Sequence, residues 1–210
     1  MIKVLVADDH AVVRRGLRQI LTETADILVG GEATTTPEVR QLAREQRWDV
    51  IVLDLNMPGG SGLELLSELR RESPGARVLI LTVSQESQYA VRAIKAGAAG
   101  FLTKESAPER LIEAVRRIAA GGRYVSPELA ETLASVVAGE ADGAPHERLS
   151  DREFEVFKML ASGRTVSQVA SALALSVKTV STHRTRILKK MEMKTNAELT
   201  HYAVRNGIVE

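Results

Sequence analysis

The chain has 210 residues, of which 44% are hydrophobic and 26% charged, with a net charge of +1 and no cysteine. That is enough for one large domain or two small ones, each with its own core, and it excludes disulfides, thiolate nucleophiles and Cys-ligated zinc. No apolar stretch approaches membrane-spanning length, and Met1 leads straight into a strand pattern without a signal peptide, so a cytoplasmic protein with no membrane partner is expected.

Up to residue 123 strands alternate with helices. "IKVLVA" (2–7) is a buried strand, and Val13, Leu17, Ile20 and Leu21 mark one face of the helix after it. "ILVGGEA" (27–33) is a weaker strand, 37–46 a helix, and "VIVL" (50–53) the third strand. Leu63, Leu66 and Leu69 stripe a helix that stops before Pro74; "RVLILT" (77–82) is the fourth strand, followed by a helix to about Ala96. "GFLT" (100–103) is short enough for an edge strand. Leu111, Ile112, Val115, Ile118 and Ala119 stripe the last helix, which ends at Gly121-Gly122. Five β-α units in sequence imply a parallel sheet with helices on both faces, an α/β fold.

Residues 124–146 differ. They begin with a helix capped by Ser126, with Pro127 at its first position, and pass into "AGEADGAP" (138–145), which reads as a flexible hinge. From Leu149 the chain is all helix. "SDRE" (150–153) and "TNAE" (195–198) read as capping boxes, and between them lie a helix to Gly163, a short helix over 167–173, a tight turn at "ALS" and a longer helix over 178–191. Three segments follow: a domain over 1–123, a linker over 124–146 and a small all-α domain of four helices over 147–210. Charge divides along the same lines: 17 Lys/Arg against 16 Asp/Glu in the first, none against four in the linker, and 11 against seven in the last. The asymmetry suggests that the basic tail meets a polyanion.

In an open parallel sheet, ligands bind beyond the carboxyl ends of the strands. Asp8, Asp9 and His10 follow the first strand, Asp54 the third, Thr82 ends the fourth and Lys104 follows the fifth. Each has an ordinary reading alone: a helix cap, a strand-forming threonine, a solvated lysine. Together they suit another chemistry. Three carboxylates repel one another unless a cation is present. Acidic oxygens with a backbone carbonyl suit Mg²⁺, and a hydroxyl with an ammonium suits a phosphoryl group. Asp54, alone on its strand tip, is the better nucleophile; Asp8 and Asp9 are the better metal holders; His10 reads as a capping or rim residue.

"ADDH", "VLDLNMPG", "LILT" and "GFLTK" resemble the motifs of two-component response-regulator receiver domains, over residues 1 to about 123. The resemblance implies a flavodoxin-like fold of strand order 2-1-3-4-5, and Asp54 as acceptor of phosphate from a sensor histidine kinase. It implies Mg²⁺ held by Asp9, Asp54 and the Asn56 backbone carbonyl, with Asp8 supporting the metal through water. Thr82 and Lys104 would contact the phosphoryl oxygens, and Phe101 would be the aromatic that repositions on activation. The chain departs from the pattern in three places. Glu105 follows Lys104 where many receivers have proline, which leaves that loop's geometry open. Phe101 has no hydroxyl, so a switch there works by packing. Val83 replaces a smaller residue and narrows access to the phosphoryl group.

"SVKTVSTHRTRILKKMEMK" (176–194) sets six Lys/Arg against one acid, and Val180, Ile187, Leu188 and Met191 give the same helix an apolar stripe. A short helix, a tight turn and a longer basic helix make a helix-turn-helix. From about 148 to 208 the pattern resembles the LuxR-type helix-turn-helix of the NarL/FixJ subfamily. That resemblance implies a recognition helix over 178–191 in the major groove of double-stranded promoter DNA. Ser181, Thr182 and Thr185 would face base edges, and Lys178, Thr179, His183, Arg184, Arg186 and Lys189 are candidates for phosphate contact. The combined reading is a phosphorylation-switched transcriptional regulator of a bacterial two-component system that forms a homodimer on phosphorylation or DNA binding, and no enzyme beyond its own phosphoryl transfer and autodephosphorylation. One rival is a Mg²⁺-dependent aspartyl-phosphate phosphohydrolase, but such enzymes resembling haloacid dehalogenases want D-x-D at the first strand and have no use for a helix-turn-helix. The other is a regulator that never uses phosphate, against which the complete acidic set argues.

Overall fold

Continuous aliphatic runs put three strands in the middle of a sheet: Ile2–Ala7 (β1), Val50–Asp54 (β3) and Arg77–Thr82 (β4). Ile27–Ala33 (β2) and Gly100–Thr103 (β5) form its edges. In the computed structural model, which describes residues 1–82, 87–138 and 144–209, the sheet is parallel throughout, in the order β2-β1-β3-β4-β5. Every residue of β3 is buried, as a strand covered on both faces requires. β2 alternates buried and exposed positions, which is why it reads as the weaker strand. Its register slips between Val4 and Leu5 of β1, where Gly30 is passed over, and the Trp48 ring lies against the two glycines there.

The helices of the sheet unit are Ala11–Thr22 (α1), Thr36–Glu45 (α2), Gly62–Glu72 (α3), Ser87–Ala96 (α4) and Ala107–Ala119 (α5). Leu17 and Leu21 of α1 and Leu111, Val115 and Ile118 of α5 join Val4, Val6, Val52, Leu79 and Leu81 in one core layer. Alternation along the strands turns Leu5, Ile51, Leu53 and Ile80 to the opposite face, where α2, α3 and α4 lie side by side. Each fully buried Leu or Ile contributes about 1.5–3 kcal/mol. All five strands therefore end at one edge, which carries Asp8, Asp54, Thr82 and Lys104.

Pro127–Ala138 (α6) starts as the sequence indicates, with Ser126 Oγ accepting the Leu129 N–H at 3.2 Å. The chain divides into two compact units, Met1–Thr132 and Leu133–Glu210, so the first runs past Arg123. Tyr124 bridges to Gly100 at the sheet edge, and Leu129 is buried. Val83 and residues 139–143 of the segment read as a hinge lie outside the described residues.

In the second unit a 3-10 turn, Pro145–Arg148, precedes Asp151–Ala161 (α7), Val166–Ala172 (α8), Val177–Lys190 (α9) and Asn196–Arg205 (α10). Phe154 and Phe157 of α7, 6.0 Å apart between ring centroids, pack with His146 and Tyr202 to make an aromatic core. Ser150 and Glu153 form the capping box read from the sequence. The second one needs correction. Thr195 Oγ1 accepts the Glu198 N–H, but the Glu198 carboxylate reaches back one residue further, to the Lys194 N–H at 3.0 Å. A true box that the sequence reading passed over joins Thr165 and Gln168 at the start of α8. The turn between α8 and α9 places Ala174 at φ +53°, and Arg152 of α7 donates to the Leu173 carbonyl at 3.2 Å, fixing where α9 begins.

Candidate functional site

Asp54 is the last residue of β3 and only 2% exposed. Its Oδ1 accepts the Asn56 N–H at 3.0 Å, a short turn that holds the carboxylate at the strand tip. Lys104, just past β5, sends its ammonium to Asp54 Oδ2 at 2.6 Å and to Asp8 Oδ2 at 2.6 Å. The contact to Asp54 is a hydrogen bond and the contact to Asp8 an ion pair, so one ammonium serves both buried carboxylates. Asp8 Oδ1 accepts the His10 N–H at 2.8 Å. Thr82, also 2% exposed, ends β4 and accepts the Lys104 N–H at its backbone carbonyl, 2.7 Å away.

The electrostatics follow from this burial. Burial pushes the Asp54 carboxyl above its ordinary range, and the Lys104 and Asn56 hydrogen bonds draw it back only in part. Burial alone would lower the Lys104 ammonium, but its bonds to Asp54 and Asp8 outweigh that and hold it above its usual value. Single ligand atoms of Asp8, Asp9, His10 and Asp54 lie within 4.8 Å of one another. The clustered acidic oxygens of Asp8, Asp9 and Asp54 are a donor set that fits a hard divalent cation.

His10 sits at the N-cap position of α1 but makes no side-chain cap; it lies exposed on the rim with Nδ1 2.7 Å from Asp9 Oδ1. Glu105 does not keep Lys104 from the carboxylates, because Ser106 ties the following turn to Thr103, N–H to carbonyl, at 3.1 Å. Phe101 is 7% exposed and borders a cavity of about 360 Å³ lined also by Ala90, Tyr124 and Leu129. Sequence reasoning missed Arg14, which donates to the Asp8 carbonyl at 2.8 Å and pairs with Glu32. No local pattern marks it, since both partners come from other elements.

The loop after Asp54 depends on one close approach. A Cβ on Gly62 would fall 2.5 Å from the Leu55 carbonyl oxygen and 2.6 Å from its Cα, backbone that cannot swing aside. Gly62→Ala is therefore expected to cost about 1–3 kcal/mol, as overpacking does. Chemical denaturation would measure the loss, and a variant as stable as the parent would contradict it.

In the second unit, α9 buries Val180 and Ile187, with Met191 buried at its C-cap and Leu188 half-buried, and exposes Lys178, Thr179, Ser181, Thr182, Thr185, Arg186 and Lys189. His183 and Arg184 are half-buried. Arg184 Nε donates to Asn196 Oδ1 of α10 at 2.7 Å, so it is fixed across the helix pair; Asn196, read from the sequence only as part of a cap, is its anchor. The hydroxyls of Thr182 and Thr185 bond back to the Lys178 and Ser181 carbonyls at 3.0 and 3.1 Å. Lys190 turns away to Glu153 at 2.6 Å.

Comparison with known proteins agrees with this geometry. Residues 4–116 match the family described as response regulator receiver domain, and residues 147–203 match bacterial regulatory proteins of the luxR family. The response regulator GacA of Pseudomonas aeruginosa is 39% identical, over 100% of this chain and 99% of that protein. The response regulator UvrY of Escherichia coli is 36% identical, over 99% and 96%. Among solved structures, a Salmonella typhimurium RcsB response regulator superposes with a TM-score of 0.77 at 25% identity, over 98% of each chain. RcsB bound to promoter DNA in the presence of the phosphomimetic BeF3- gives 0.71 at 26% identity, over 96% of this chain and 97% of that one. An acidic crevice at the strand ends, a helix-turn-helix and relatives matched from end to end lead to one conclusion: the chain is a response regulator and transcription regulator of the NarL/FixJ family, with a receiver domain followed by a LuxR-type DNA-binding domain.

Proposed function

We propose that Asp54 accepts a phosphoryl group from a sensor histidine kinase and that this controls dimerisation and promoter binding. The observation that carries the reading is the seating of Asp8, Asp54 and Lys104 around one point at the strand ends. An Asp54 oxygen attacks phosphorus, the bond to the donor's imidazole nitrogen breaks with its electron pair, and an acyl phosphate remains. Lys104 and Thr82 meet the phosphoryl oxygens. Asp9, Asp54 and the Asn56 carbonyl, supported by Asp8, hold Mg²⁺, which supplies charge neutralisation. Apart from this transfer and the hydrolysis of its own acyl phosphate, the protein is no enzyme. Phe101 shifts by packing, and the cavity beside it supplies the room.

Phosphoryl acceptance is the work of residues 1–123 and DNA binding that of 147–210; the linker of 124–146 begins within the first compact unit, which reaches Thr132, and the protein works in the cytoplasm. RcsB has been solved bound to promoter DNA, and in this chain α9 is the element that enters the major groove of duplex DNA. Lys178, Thr179, His183, Arg184, Arg186 and Lys189 face phosphates, while Ser181, Thr182 and Thr185 face base edges. Acetyl phosphate with Mg²⁺ is expected to convert the protein to a dimer in sedimentation and to tighten its binding to a subset of genomic fragments in gel-shift assays. Unchanged mass and unchanged binding in labelled protein would refute the switch.

The recognition helix gives a sharper expectation. Lys189→Ala should weaken binding on every sequence and flatten the slope of log K against log[salt] by about one unit, because each phosphate contact releases about 0.9 counterion on duplex DNA. Thr182→Ala or Thr185→Ala should leave the slope alone and relax preference at particular base pairs by roughly 1 kcal/mol. Equal losses on operator and random DNA for both kinds of variant would place α9 outside the groove.

A further inference from the structure

At the opposite end of the sheet, where β4 and β5 begin, a cleft of about 440 Å³ opens in the receiver. Three arginines line it: Arg70 from the last turn of α3, Arg77 at the first residue of β4, and Arg123 just after α5. Among the described residues, none of the three has an acidic side chain within ion-pair distance, and none donates to a backbone carbonyl. By contrast, Arg40, Arg44 and Arg116 of the same unit pair with Glu68, Glu72 and Asp26.

Two of the arginines are seated on glycines. A Cβ at Gly97, which sits at φ +113°, would come 2.5 Å from Arg70 Cδ, and one at Gly121 would lie 3.5 Å from Arg77 Nη2. The cleft is also lined by Pro74, Ala76 and Ala99, exposed or half-buried, which give it apolar surface. A cation in the last turn of a helix complements the helix dipole, which accounts for Arg70 in α3. It does not account for Arg77, which opens a strand, or for Arg123, which lies beyond the end of α5. All three side chains are exposed, so water screens their mutual repulsion, and an anion placed among them would gain from each. Their planar forks match phosphate oxygens, and the volume falls within the roughly 300–1,000 Å³ of small-molecule sites.

We propose that this cleft binds a small organic phosphate carrying two or more negative charges. Its phosphates lie between Arg70, Arg77 and Arg123, and its apolar part rests on Pro74, Ala76 and Ala99. The site is separate from the phosphoacceptor crevice and does not depend on it.

The test uses the full-length protein labelled with ¹⁵N and follows the amide resonances of Gly97, Gly121 and Gly122, which report on this cleft alone. ADP is the probe, with inorganic pyrophosphate and a duplex oligonucleotide as parallel arms. ADP is expected to move the three glycine signals saturably, with pyrophosphate weaker for lack of an apolar part. The pair Arg77→Ala and Arg123→Ala should weaken ADP binding by about tenfold or more. Arg123→Ala alone, at an exposed turn where folding is not at stake, should weaken it by about threefold or more. Glycine signals static to about 10 mM ADP would overturn the proposal, as would shifts undiminished in the Arg123→Ala protein. Movement by the oligonucleotide alone would make the cleft a nucleic-acid surface and overturn it as well.

Discussion

Treatment with acetyl phosphate or phosphoramidate plus Mg²⁺ is expected to add one acid-labile phosphoryl group to the protein, and Asp54→Asn is expected to abolish it. The loss should be complete rather than graded. Asp54 is the carboxylate that combines a strand-tip position with the Lys104 hydrogen bond at 2.6 Å, and an amide there cannot attack phosphorus. Removing Mg²⁺ with a chelator should suppress labelling of the parent protein to a similar degree, because the one Lys104 ammonium cannot offset Asp8, Asp9, Asp54 and the incoming phosphoryl charge together. Intact mass before and after treatment reads both effects. A labelled Asp54→Asn protein would move the acceptor elsewhere, and an unlabelled parent with native circular dichroism would remove it altogether.

The second large effect concerns the aromatic core of the DNA-binding domain. Phe154 is fully buried, with its ring 6.0 Å from Phe157 and 6.1 Å from His146. Phe154→Ala is expected to cost about 3–5 kcal/mol. That is a large share of the stability a domain this small possesses, so most of the helix-turn-helix should unfold at growth temperature. DNA binding should disappear at every salt concentration, in contrast to the graded response of Lys189→Ala, while labelling at Asp54 persists. Differential scanning calorimetry with a phosphorylation assay separates the two units; a variant that still binds operator DNA would show that the core tolerates the void.

The sheet was largely legible because its strands are continuous aliphatic runs closed by turn residues. The bounds read for 27–33, 77–82 and 100–103 are those of β2, β4 and β5. The positions of Asp8, Asp54, Thr82 and Lys104 followed, since a strand's end fixes what comes next. What escaped was contact between distant elements. Arg14 holding the Asp8 carbonyl, Arg152 holding the Leu173 carbonyl and Asn196 holding Arg184 join residues six, 21 and 12 positions apart, with no periodicity to betray them. Capping was read where a Ser or Thr opened a familiar pattern. It was misassigned at Thr195, where the Glu198 side chain reaches past the cap to Lys194, and overlooked at Thr165. The burial of Leu129 and the bridge from Tyr124 to Gly100, which carry the first compact unit to Thr132, left no signal in a segment that reads as linker.

The place of Lys104 has a consequence for how the cell supplies this protein. Read from sequence, three neighbouring acids called for an outside cation. Here the chain brings its own: the ammonium stands between Asp8 and Asp54 at 2.6 Å from each. Folding of the receiver is then expected to proceed without a metal, and the amount of folded regulator to vary little with magnesium supply. On the proposed phosphoryl transfer, scarcity of Mg²⁺ is expected to limit the rate at which Asp54 is phosphorylated. Thermal melts in chelator and in excess Mg²⁺ should differ by only about 1 kcal/mol in stability, the linkage expected at roughly five times the dissociation constant, while phosphorylation rates differ far more. An apo protein that fails to fold would reverse that assignment and make magnesium a determinant of abundance.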